Sequence, residues 1–379
     1  MARMVVDPRF RAVLANLIMS AGIRQAELAR RACLSPSHLS QILNGDRNPS
    51  DQMARALDAA LGADGQLADL VLLAANPEDL DRLAAATANP RRIGFATIES
   101  LARVLAAQRN LDDVMGSAAV VGSTVAQLHT LTVMVNEAAG PDRPAVLYEA
   151  GQWAQFAAWL HISVGKQTEA RAWLARALQW SMECGDADLI ATVLSYQAHS
   201  EWLSLRWGPT VGLAQAALRD PAVYPGQRAY DAYQAARGSA ALGDLVEARR
   251  MLDRADGYAA DTESWDGQPP PWQYYRAPWF WALERGLVSL YMARREPAYA
   301  SAAVADLQAG IDGLPDEMSG ADWVAEYLVH LASAHRRTGE RDAARSTLGR
   351  AKFIADATHS GRVLRLVAVG ERSLRVNGD

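Results

Sequence analysis

Ser37, Ser40, Gln41 and Asn44 stand three or four residues apart, with Leu39, Ile42 and Leu43 interleaved. On a helix this spacing gathers the hydroxyls and amides on one face and the apolar side chains on the other. The polar face is short and uncharged. Such side chains reach base edges in a DNA major groove without filling it, and a glutamine amide bonds adenine through both its atoms. Gln41 suits that pairing best. Pro36, Ser37 and Ser40 share its exposed side of the helix start, flanked by Ser35 and His38. Gln25, Asn44 and Arg47 offer donors for phosphate oxygens, contacts that position a protein on DNA without reading sequence. Asn44 equally suits a helix C-cap.

Catalysis finds no comparable set. None of the seven histidines stands in a zinc-protease pattern, and His330 and His335, five apart, leave a common helical face. No phosphate-cradling loop or dinucleotide fingerprint follows a strand, and Asp and Glu are scattered as on solvated helix faces. The sequence therefore predicts no enzyme, no metal and no cofactor. Only two cysteines, Cys33 and Cys184, are present and lie far apart, which predicts a reducing cytoplasm. The start MARMVVDPRF lacks a signal-peptide pattern, and no apolar run approaches membrane-spanning length.

The elements that must hold the polar face follow from neighbouring residues. Ser35 is a good N-cap and Pro36 a good first helical residue. Before them Gln25 to Ala32 turns Leu28 and Ala29 toward a core. Pro8 to Ala21 reads as a first helix ended by Gly22, Ser50 to Leu61 as a fourth ended by Gly62, and Asp64 caps a fifth reaching about Ala75. Residues 1–75 thus form one five-helix domain. A linker over 76–96 is punctuated by Asn76-Pro77 and Asn89-Pro90-Arg91-Arg92, whose arginines either touch a phosphate or are solvated. The overall charge is −5, while residues 1–75 carry eight Arg against seven acids, so affinity for DNA must come from local placement.

The stretch 25–49 resembles the Xre-type helix-turn-helix of phage repressors and their bacterial relatives. Gln25, Leu28-Ala29, Leu34-Ser35, Leu39 with Ile42, Asn44-Gly45 and Pro49 fill the places of that pattern. The turn residue, usually Gly, is Cys33, which puts the aim of the second motif helix in question. That thiol reads as a small hydrophobe or as a redox-sensitive site.

From residue 97 to 379 the chain alternates Ala-rich amphipathic helices and short turns. Gly165, Gly243 and Gly339 superpose: five residues on stand Ala170, Ala248 and Ala344, nine on Leu174, Leu252 and Leu348, twelve on Ala177, Ala255 and Ala351. Seven residues before each Gly stands Ala158, Ala236 or Ala332. A turn Gly with alanines at close approaches is what stacked helical hairpins need. Weaker copies place Gly208 and Arg295 at the turn, and Ala259–Pro271, with three consecutive prolines, interrupts as an insertion. This register resembles the tetratricopeptide repeat, so the expected fold is all-α, a helix-turn-helix domain followed by a tetratricopeptide-like solenoid.

An Xre-type head on such an array resembles the regulators of Gram-positive bacteria that sense a signal, peptide pheromones included, through helical repeats. The resemblance implies a sequence-specific regulator binding a double-stranded DNA operator as a homodimer, with a peptide or small molecule in the repeat groove. A protein-interaction scaffold with no small effector is the alternative. Tetratricopeptide-like groove positions lie thirteen, ten, six and two residues before the turn. They give Gln152, Gln155 and Trp159; Ser195, Trp202 and Arg206; Tyr230, Tyr233 and Arg237; Arg285 and Ser289; Glu326 and Arg337. Aromatic rings and guanidinium groups suit a peptide or an acid with an apolar body. The run WQYYRAPWFW, Trp272–Trp281, is either a lid over this groove or packing of an irregular repeat.

Overall fold

Residues 10–32, 34–44, 49, 51–63, 66–67, 82–83, 85, 95–273, 275–315 and 318–376 are described in the computed structural model. Among them are 17 α-helices and no strand. Two compact units divide the chain, residues 1–88 with 99–111, and 89–98 with 112–379.

In the first unit, α1 (Phe10–Ala21), α2 (Gln25–Arg31), α3 (Pro36–Asn44) and α4 (Asp51–Leu61) enclose one core. Phe10, Leu14, Leu28, Ala29, Leu39, Ile42, Ala54, Leu57 and Leu67 are buried in it. Each Leu or Ile contributes about 1.5–3 kcal/mol by leaving water. Asp58, also buried, accepts the Leu67 amide at 2.8 Å and so fixes the chain beyond α4. Cys33, Arg47, Arg91 and Arg92 lie outside the described residues, as does most of the expected fifth helix. Helix α5 (Phe95–Met115) is continuous across residue 97, where the array was expected to start, and Glu99–Leu111 clusters with the first unit.

Helix α6 (Ser117–Glu137) departs from the sequence reading, because its 21 residues are long and apolar enough, by length and composition, to cross a membrane. One stripe, Val120, Thr124, Leu128 and Leu131, is buried within this unit, and Arg143 donates to the carbonyls of Val135 and Ala138 at its end.

The hairpins follow as α7 (Arg143–Ser163) with α8 (Gln167–Cys184), α9 (Ala187–Leu203) with α10 (Trp207–Ala217), α11 (Pro225–Leu242) with α12 (Leu245–Asp261), α13 (Pro278–Met292) with α14 (Tyr299–Asp312), and α15 (Asp322–Thr338) with α16 (Arg341–Ala357). Helix α17 (Gly361–Val376) ends the array. Gly165, Gly243 and Gly339 adopt φ of 81°, 91° and 87°, the left-handed turn that the repeat register requires. Ala158, Ala170, Ala177 and their repeat equivalents are buried between paired helices.

One turn is not where the sequence put it. Between α9 and α10 the left-handed residue is Leu205, φ 58°, and Gly208 sits inside α10. The expected register is therefore three residues late in this repeat. The proline-bearing insertion also begins later than expected, since α12 runs through Asp261.

The array curls until its ends meet. A Cβ on Gly116, between α5 and α6, would stand 3.1 Å from Thr358 Cβ, and one on Gly165 would stand 3.3 Å from the Arg365 guanidinium of α17. The inner helices are consequently buried on both faces, most completely α7 and α11.

Candidate functional site

In the first unit, Ser35 Oγ accepts the His38 amide at 3.1 Å and caps α3. With Leu39 and Ile42 turned inward, Pro36, Ser37, Ser40, Gln41 and Asn44 are exposed together and His38 is half-buried. Gln25 is exposed at the start of α2. Sequence reasoning passed over one feature of α2: Glu27 binds both Arg30 and Arg31, at 2.7 and 3.0 Å. The arginines hold its carboxyl at about 2, mainly by hydrogen bonding, so two of the head's guanidinium groups are already paired.

In the second unit the inner helices bring polar side chains to an interior cleft. Trp159 on α7 donates to Asp112 at 2.8 Å and packs its ring 6.0 Å from Tyr196 and 6.3 Å from His199 on α9. Arg237 on α11 donates to His199 Nδ1 at 3.3 Å, to Gln234 at 3.0 Å and to Glu284 of α13 at 3.2 Å. Tyr327 donates to the other Glu284 oxygen. On α15, Glu326 accepts from Arg362 of α17 at 2.7 Å.

Burial, then the Arg237 charge, pushes His199 down to about 3, which keeps it the neutral acceptor this network needs. Burial opposes ionisation of Glu326, but Arg362 and His330 outweigh it and hold the carboxyl below its usual range. Tyr196, His199, Tyr230, Glu326, Tyr327 and His330 are half-buried.

The expected groove residues divide. Trp159, Tyr230, Arg237 and Glu326 share the cleft, and Ser195 accepts from Gln234 at 2.8 Å beside it. Gln152 bonds Glu149 at 3.1 Å; Gln155 and Ser289 are buried in their helices. Trp202 belongs to a packed aromatic group, 4.7 Å from Trp207, 4.6 Å from Tyr291 and 4.7 Å from the Arg237 guanidinium. Tyr233 and Arg285 turn to the opposite side, where both bind Asp256, at 2.6 and 2.8 Å. Arg206 lies in a turn and pairs with Glu201, which lines a cavity of about 210 Å³, and Arg337 is exposed at the end of α15.

Counting from Leu205 instead of Gly208 moves the α9 positions onto Thr192, Ser195 and His199, and His199 is the cleft residue the sequence reading missed. Glu284 and Arg362 were missed because they join the cleft only through its closure by α13 and α17.

The aromatic run divides in the same way. Tyr230, Tyr275, Phe280 and Trp281 pack ring on ring, while Trp272 donates to Thr192 at 2.9 Å and Gln273 to Gln227 at 2.8 Å. The insertion is thus pinned across the N-terminal parts of α9 and α11. Among the described residues no group of His, Cys, Asp and Glu could hold a metal.

Residues 9–71 match the family described as a helix-turn-helix domain. The chain thus carries a helix-turn-helix DNA-binding domain ahead of a tetratricopeptide-like helical array, as the sequence led one to expect. Comparison with curated proteins gives no match. Among solved structures the chain is similar to the Rap conjugation gene regulator of the plasmid pLS20 in complex with the Phr* peptide, at 11% identity over 93% of this chain and 95% of that one, TM-score 0.49. It is also similar to aspartyl phosphate phosphatase F from Bacillus subtilis, at 9% identity over 93% and 96%, TM-score 0.44. Bacillus thuringiensis PlcR in complex with the peptide PapR7 and DNA gives 11% identity over 97% and 98%, TM-score 0.30.

Proposed function

We propose that this chain is a cytoplasmic, non-catalytic transcription regulator of the Xre type that binds an operator through α3 as a homodimer, its array holding a peptide or small-molecule signal that alters operator binding. The domain bounds of this reading are 1–75, 76–96 and 97–379. One observation carries it: a capped α3 presents Ser37, Ser40 and Gln41 together on the open face of a helix-turn-helix domain. Two heads about one helical turn apart read a two-fold operator, hence the dimer. Gln25, Asn44 and Arg47 serve as phosphate contacts and Gln41 as the principal base contact.

The gathering of half-buried aromatic and charged side chains between the inner helices favours a sensor over a pure scaffold, because a scaffold needs no such interior group. The test is selection of a site from randomised duplexes with the full chain, repeated with Gln41→Ala. Loss of about 1–3 kcal/mol of discrimination at one base pair is expected. An unchanged preferred site would remove Gln41 from this role.

A further inference from the structure

Three arginines face the interior of the array, and two of them have carboxylates. Arg237 pairs with Glu284 and Arg362 with Glu326. Arg276, 7% exposed, is hydrogen-bonded to none: its Nη1 donates to the Gly226 carbonyl at 3.3 Å and to Gln227 Oε1 at 2.9 Å, both neutral acceptors, and the buried Asp231 carboxyl acts on it only through space. Its Nε and Nη2 have no hydrogen-bond partner among the described residues. Leaving donors of a buried guanidinium unpaired is costly, and the planar Nε–Nη2 edge matches a carboxylate through two parallel hydrogen bonds.

The surroundings are rich in donors. Gln227 Oε1 accepts not only from Arg276 but also from Thr192 at 3.0 Å and Gln273 at 2.8 Å, three donors on an oxygen with two lone pairs. The guanidinium is held flat by rings, 4.5 Å from the Tyr230 centroid and 5.7 Å from that of Tyr275, both partly accessible. Beside it Gln273 Oε1, buried, has no donor. An acceptor-hungry fork next to one idle amide acceptor fits a ligand that presents a carboxylate and an N–H on one carbon.

We propose that Arg276 and Gln273 bind a carboxylate bearing an amide N–H on its α-carbon, the chemistry shared by the C-terminal residue of a peptide and by a free N-acyl amino acid. This rests on the reading of the array as a sensor and names the chemical class it senses. The tyrosine rings supply apolar walls for the side chain of that residue.

The test is calorimetric titration of the full chain with three probes: N-acetyl-leucine, N-acetyl-leucinamide, and the free-acid peptide N-acetyl-Ala-Ala-Ala-Leu. The acid should bind saturably, and the amide about ten- to a hundredfold more weakly, the size expected for loss of charge-assisted hydrogen bonds. Tighter binding of the peptide than of N-acetyl-leucine assigns the site to a peptide terminus, and equal binding assigns it to a small acid; both support the proposal. Arg276→Lys should keep the charge, lose the two-point contact and weaken acid binding at least about tenfold. Equal affinity for acid and amide, or no binding of any probe, overturns the proposal. The wild-type comparison holds even if the variant misfolds. Operator binding measured on the same preparation separates the outcomes: DNA binding without acid binding refutes this inference and leaves the head's function standing, whereas acid binding without DNA binding does the reverse.

Discussion

Replacing Arg237 by Ala is the obvious probe of a groove arginine, and the structure predicts a different consequence from lost recognition. Arg237 is 1% exposed, Glu284 is fully buried, and the pair is 3.2 Å apart. Removing the guanidinium leaves the Glu284 carboxylate with Tyr327 as its remaining hydrogen-bond partner, and strips a cation from the face of Trp202. Breaking one side of a buried pair costs about 3–5 kcal/mol, far more than loss of an exposed bridge at about 0–1 kcal/mol. Arg237→Met should therefore lower the array's stability by about 3–5 kcal/mol, and Glu284→Gln by a smaller amount, since its amide still bonds Tyr327. In the double variant Arg237→Met/Glu284→Gln neither charge of the pair remains, so most of the loss should return. The assay is urea unfolding of all four proteins, followed by circular dichroism, with the coupling energy taken from the cycle. A coupling below about 0.5 kcal/mol would refute the argument and return Arg237 to the candidates for direct ligand contact.

Leu205 holds φ 58° at 70% exposure, so Leu205→Gly should relieve about 1 kcal/mol of backbone strain and raise the unfolding midpoint; a lower midpoint would show that the side chain has a packing role. Asp112 is pushed up to about 8, mainly by burial and then by Asp113 and Asp322. Folding therefore favours its proton, and stability falls as pH rises from about 4, the unfolded value, to about 8. Asp112→Asn should unfold later than the parent at pH 8.5 and alike at pH 4, and parallel pH profiles would contradict this assignment. Glu27→Gln should free Arg30 and Arg31, raising affinity for random duplex and steepening its salt dependence by up to about two units, as read by fluorescence anisotropy; an unchanged slope would place both arginines away from DNA.

Much of this protein was legible in the sequence because it rests on local rules. Ser35 before Pro36 marked the start of α3, and the spacing of Leu39 and Ile42 decided which residues face out. Gly165, Gly243 and Gly339 marked three turns because the left-handed conformation they adopt suits glycine best. Where another residue took that conformation the signal vanished. Leu205 does so between α9 and α10, so the register slipped to Gly208 and brought Trp202 and Arg206 forward in place of His199. A second limit was helical phase, because a position ten residues before the turn pointed Tyr233 to Asp256 and not to the cleft. Tertiary structure alone decided that the array closes, since contacts such as Gly116 with Thr358 join residues far apart in sequence. That closure makes buried partners of Arg237 and Glu284 and of Glu326 and Arg362, and the pinned insertion sets Arg276 among neutral acceptors. Residue type decides which side chains carry charge; only the packing of helices distant in the chain determines which of those charges is hydrogen-bonded to its opposite.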